Sequence, residues 1–187
     1  MYDCRLHLYA PLITLPKSSL RIQVAPASLN EDEKRFIDLL EAYAQKHEDD
    51  LKDKPLYLLR NKSKVGMGFF EAGNFYPDFI LWIVTDDTEY ISFIDPKGLL
   101  HIRPDNPKIT FYKTIKKLEE RLAPTVKDRR IVLNSFILSG TPSAMLKQWW
   151  STPDMEADRS YREARNVYTL DNPQCVELMI DKILKSG

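Results

Sequence analysis

Two short runs, Phe79–Val84 (Phe-Ile-Leu-Trp-Ile-Val) and Tyr90–Ile94 (Tyr-Ile-Ser-Phe-Ile), constrain this chain more than any other feature. Each is short for a helix and rich in β-branched and aromatic residues, the composition of a buried strand. The connector Thr85-Asp86-Asp87-Thr88-Glu89 is polar and brief, so the two runs are expected to pair as an antiparallel hairpin. Asp78 opens the first run and Asp95 closes the second, and a hairpin brings both to one end of the sheet. Lys97 follows Asp95 by two positions, and strand alternation puts the two on one face.

This convergence has an electrostatic consequence. Two carboxylates on an apolar sheet repel each other and lose solvation, which is costly unless a cation lies between them. A divalent ion such as magnesium meets that need, because it prefers oxygen ligands, keeps several waters and is commonly held by one or two carboxylates plus substrate phosphate oxygens. Such an ion polarises a phosphodiester and acidifies bound water, and a lysine alongside offsets charge in the transition state. Aspartates also punctuate strand ends for turn chemistry alone, but that reading leaves the convergence with Lys97 unexplained.

Pro77-Asp78 followed by Asp95-Pro96-Lys97 resembles the PD-(D/E)XK nuclease signature, with Lys97 as its lysine. The surrounding Gly-Asn-Phe-Tyr-Pro-Asp-Phe-Ile-Leu-Trp and Phe-Ile-Asp-Pro-Lys-Gly-Leu are similar to the C-terminal nuclease domain of DEAD/DEAH-type helicases related to type III restriction enzyme subunits. The resemblance implies an α/β fold with a restriction-endonuclease-like αβββαβ core, a mixed central sheet flanked by helices. It also implies a Mg²⁺- or Mn²⁺-dependent DNA endonuclease serving a restriction or phage-defence system, with a helicase or ATPase domain or subunit as partner. Asp78 and Asp95 would hold the metal, the carbonyl of Pro96 would join them, and Lys97 would position the attacking water. Two rivals stand beside it: a catalytically silent module of the same fold that docks within such a complex, and a hydrolase of some other phosphoester.

With 187 residues and 43% hydrophobic content, the chain suffices for one well-cored domain over residues 1–187. The resemblance implies either a piece of a longer helicase-nuclease or a stand-alone subunit. Basic and acidic residues number 27 each, so DNA contact must come from a local basic patch or another domain rather than from overall charge. Cys4 and Cys175 lie far apart with no partner at zinc-ligand spacing. The sequence shows neither a run of membrane-spanning length nor a signal-peptide core, so a cytoplasmic protein with free thiols is expected.

The remaining segments fill in the fold. Leu6–Ile13 reads as an extended edge piece limited by prolines and Leu20–Val24 as a strand. A helix is expected from a cap at Ser28 or Asn30 to about His47, with Phe36, Ile37, Leu40 and Ala44 as its apolar stripe. Glu33 falls inside that stripe and Glu41 at its edge. Glu33 is thus a candidate third carboxylate of the metal site, with helix capping as the plain alternative, and Glu33-x-x-Phe-x-x-Leu-Leu resembles the first-helix motif of Mrr-type nucleases. Glu71, in a strand expected at Phe69–Glu71, is the second candidate.

Pro55–Arg60 is a strand candidate, and the loop after it carries Lys62, Lys64 and two glycines that suit contact with phosphates. His101 is a candidate neighbour of the site or a DNA contact, against the commoner role of a satisfied structural histidine. Asn106-Pro107 to Leu122 reads as a helix whose polar side bears Lys113, Lys116 and Lys117, lining a DNA path or simply solvated. A buried strand over Arg129–Leu138, a helix over Ser143–Trp150, a polar connector over Ser151–Ser160, a strand over Val167–Leu170 and a closing helix from Asn172-Pro173 complete the expectation. Trp149 and Trp150 are expected chiefly to pack in the core, with partner contact as the alternative.

Overall fold

The computed structural model describes residues 7–9, 28–61, 66–69, 72–125, 129–150 and 159–187. Six strands form one mixed sheet in sequence order: β1 (His7–Tyr9), β2 (Leu56–Arg60), β3 (Phe79–Val84), β4 (Thr88–Lys97), β5 (Arg130–Ser139) and β6 (Val167–Thr169). The strand β3 runs antiparallel to its neighbours β2 and β4, whereas β1 is parallel to β2 and β5 is parallel to both β4 and β6. The hairpin of β3 and β4 turns through Thr85, whose N–H donates to the Thr88 carbonyl at 2.9 Å.

Helices cover both faces. On one lie α1 (Glu31–Lys46) and α5 (Cys175–Leu184). Their apolar stripes, with Phe36, Leu40, Met179 and Ile180, pack on Leu58, Phe79, Leu81 and Ile94 of the sheet. Asn30 caps α1 in a capping box, accepting from the Glu33 N–H while Glu33 accepts from the Asn30 N–H. On the other face α2 (Pro107–Leu122) and α3 (Ser143–Trp150) press Ile109, Phe111, Ile115, Leu146 and Trp150 onto Ile80, Phe93, Leu133 and Ile137. Proline at the first turn of α2 loses no hydrogen bond, and Asn106 caps that helix by accepting from Lys108. A short α4 (Arg159–Glu163) precedes β6. Among the described residues no helix is long and apolar enough to cross a membrane.

Several expectations shift. Asp95 does not close its strand, for β4 continues through Pro96 and Lys97 with β5 alongside. The neighbouring β3 has already ended opposite Ile94, so beyond that point β4 has lost its partner on one side, and a proline there disrupts less. Phe69 forms an isolated bridge with Phe75, and the rest of the strand expected at Phe69–Glu71 lies outside the described residues. The expected strand at Leu20–Val24 also lies outside them. Within the polar connector, the end becomes α4, and the closing helix starts at Cys175, not at Asn172. Cys175 is a buried free thiol.

Phe79 is fully buried at the hairpin's start, its ring centroid 5.3 Å from that of Phe36 on α1. Truncating it empties the contact that seats α1 on the sheet. Phe79→Ala should therefore lower unfolding free energy by roughly 3–5 kcal/mol, as read from urea denaturation with an unchanged slope.

Candidate metal-binding carboxylate site

The pairing of β3 with β4 aligns Phe79 with Ile94. One step further along the same register, Asp78 stands opposite Asp95, where cross-strand side chains come within contact. Alternation separates the two faces. Phe79, Leu81 and Ile94 point to α1, whereas Ile80 and Phe93 point to α2, and Asp78, Asp95 and Lys97 share the parity of the α2 face. Asp95, opposite Asp78 in this register, raises the Asp78 carboxyl through hydrogen bonding and charge, and the Lys97 ammonium pairs with Asp95. Asp95 is 6% exposed, and Lys97 also lies over the Phe75 ring, 5.3 Å from its centroid. The expected convergence of two carboxyls and one amine is present.

The loop ahead of Asp78 is held by groups that the sequence did not single out. The Asn61 side chain donates to the carbonyls of Met67 at 2.8 Å and Pro77 at 2.9 Å and accepts from the Met67 N–H, while its backbone N–H donates to the Asp78 carbonyl at 2.8 Å. Gly73 (φ +68°) and Asn74 (φ +56°) reverse the chain between Phe69 and Phe75. Gly68 lies under the Tyr76 ring, where an added Cβ would come within 2.3 Å. This glycine therefore serves close packing. An asparagine just after a strand and ahead of a glycine-rich loop is the one sequence signal that pointed to such a clamp.

Burial pushes the Asp78 carboxyl up to about 8, aided by its hydrogen bond with Asp95 and the negative charges of Asp95 and Glu33; Lys97 opposes this only in part. Physically, two carboxylates face one ammonium, and a proton makes up the deficit. A hard divalent cation balances the same deficit. The donors are carboxyl oxygens, with the Pro96 carbonyl next in the chain, and they fit an ion that keeps much of its water shell better than one caged by four protein ligands. Among the described residues no group of three or more His, Cys, Asp or Glu side chains is arranged to hold a metal.

Glu33 is buried at 7% exposure but committed elsewhere. Its carboxylate accepts from the Asn30 N–H at 3.0 Å and from the Arg60 guanidinium at 3.1 Å. Arg60 shares the parity of Leu58, on the α1 face, so Glu33 approaches from the opposite side of the sheet and acts on Asp78 through its charge. Glu41 sits about 12 Å further along α1. Glu71, Lys62 and Lys64 lie outside the described residues. His101 is exposed with φ +65° and its ring meets Trp149, not the carboxyl pair. On α2, Lys116 pairs with Glu119 at 2.7 Å, while Lys113 is exposed with its ammonium 5.7 Å from the Tyr112 ring centroid.

Comparison with family models, with curated proteins and with solved structures finds no match to this chain.

The folded protein keeps a proton at Asp78 that the unfolded chain releases near the ordinary aspartate value of 3.8. Between about pH 4 and pH 8 the folded state therefore binds more protons, and stability falls as pH rises through that window. Asp78→Asn should flatten this slope in urea denaturation measured across the same pH range.

Proposed function

We propose that this protein is a metal-dependent DNA endonuclease with a restriction-endonuclease-like core, working beside a helicase or ATPase. The observation that carries the reading is Asp78 set opposite Asp95 by the β3–β4 register, with Lys97 paired to Asp95 on the same sheet face, because such a charge set makes chemical sense around a phosphodiester. The element order α1, β2, β3, β4, α2, β5 follows the expected αβββαβ order, with the antiparallel strands preceding the parallel one. The resemblance of Pro77-Asp78 and Asp95-Pro96-Lys97 to the PD-(D/E)XK signature supplies the substrate class.

Asp78, Asp95 and the Pro96 carbonyl would hold Mg²⁺ or Mn²⁺, which supplies polarisation of the scissile phosphate and acidification of a bound water. Lys97 would orient that water and offset negative charge as the phosphorane-like transition state forms. The Phe75 ring beneath the ammonium adds a cation–π contact. Glu33 tunes the pair through space and anchors α1. A second reading, a silent module of the same fold, is favoured by that engagement of Glu33 with Asn30 and Arg60, which leaves two carboxylates for the metal.

Plasmid nicking separates the two readings. Under the nuclease reading, cleavage requires Mg²⁺ or Mn²⁺ and drops about a hundredfold or more in Asp78→Ala and in Lys97→Ala, with melting temperatures measured alongside to show that both variants fold. Cleavage that both substitutions leave unchanged refutes the assignment, and complete inactivity of folded wild-type protein favours the silent module.

A further inference from the structure

Past Lys97 the chain leaves the sheet and meets α3. Among the described residues four large apolar side chains are markedly exposed, and three of them gather here: Leu100 at 46%, Met145 at 45% and Trp149 at 45%. Met145 and Trp149 lie one turn apart on the outer side of α3. The Trp149 and His101 rings meet nearly perpendicular, their centroids 4.8 Å apart at 83°. Its neighbour Trp150 does the opposite, being buried and donating its indole N–H to the Ile102 carbonyl at 2.8 Å. Together with the Leu99 N–H donating to Thr141 Oγ1 at 2.9 Å, this bond ties α3 to the loop, so Trp149 and His101 keep a set relation. His101 holds a left-handed backbone conformation, disfavoured for a residue other than glycine.

We infer that Trp149, braced by His101, is a stacking platform for an unpaired base of the nucleic acid strand engaged at Asp78 and Asp95. The inference rests on the nuclease reading and adds its substrate form. From Lys97 to His101 the chain spans at most about 14 Å, so the platform lies within a few nucleotides of a phosphate held at the carboxyl pair. Residues 97–103 and α3 carry Lys97, His101, Arg103 and Lys147, of which Lys97 pairs with Asp95 and Arg103 with Asp105. An exposed indole offers a flat apolar face to any base, but only where the base is unstacked. The platform therefore selects single-stranded ends, flaps or melted segments over an intact duplex.

The test uses the full chain carrying Asp78→Asn, so that substrate stays uncut, with Mg²⁺ present and fluorescence anisotropy of a labelled oligonucleotide as readout. Adding Trp149→Ala should weaken binding of single-stranded DNA about tenfold. Trp149→Phe should keep most of the affinity, and binding to a blunt duplex should not change. Trp149 is half-exposed, and an unchanged melting temperature confirms that the alanine variant folds. Single-strand affinity unaffected by Trp149→Ala, in a protein whose cleavage still depends on Asp78, overturns the platform and leaves the nuclease standing. Neither binding nor cleavage of any DNA by the wild type overturns both. If Trp149→Ala instead abolishes self-association in sedimentation and leaves DNA affinity alone, the patch is a protein interface and the platform is overturned.

Discussion

The antiparallel register of β3 against β4 is the constraint on which the carboxyl site depends. Phe79, Leu81 and Ile83 must face α1 while Ile80 and Trp82 face the other side, and a slip of one residue would exchange the two sets. That apolar requirement, extended one position beyond the last pair, sets Asp78 opposite Asp95. The hydrophobic core thus enforces a juxtaposition that electrostatics alone opposes. The opposition is relieved locally by the raised Asp78 carboxyl, which keeps its proton, and by Lys97, and a divalent cation would relieve it further.

Buried charge elsewhere is handled differently. Glu33 and Arg60 on the α1 face form a closed pair, each with further partners in Asn30 and Ser28, so their charges are spent on seating the helix. The pair at Asp78 and Asp95 is not closed in this way: two acids share one amine. That imbalance sets it apart from the Glu33–Arg60 pair and is what the metal-site proposal rests on. Asn61 and the reversal at Gly73 and Asn74 hold the Asp78 side of the site, whereas Asp95 and Lys97 ride on a central strand flanked by β5.

Legibility varied with how local each cause was. Helices α1, α2 and α3 were readable because an asparagine cap, a proline at the first turn and a regular apolar stripe act within one or two turns. The length of β4 was not readable, since its extension through Pro96 depends on β5, which lies about forty residues on in the chain. Glu33 was correctly placed among buried residues, but its partner Arg60 could not be named from a strand whose facing was unknown. The two adjacent tryptophans met opposite fates, because helical geometry turns neighbours by about 100° and only the position of the sheet decides which is covered.

The sequence by itself determined the alternation of strands and helices, the hairpin, and the arrival of Asp78, Asp95 and Lys97 at one end of it, because periodicity and turn chemistry act over short stretches of chain. The tertiary structure alone decided that these three share the α2 face while Glu33 and Arg60 close on each other across the sheet. It also decided that Trp149 stays outside beside His101. Those outcomes depend on which apolar faces are covered and by what, and burial of that kind is a property of the assembled layers, not of any segment.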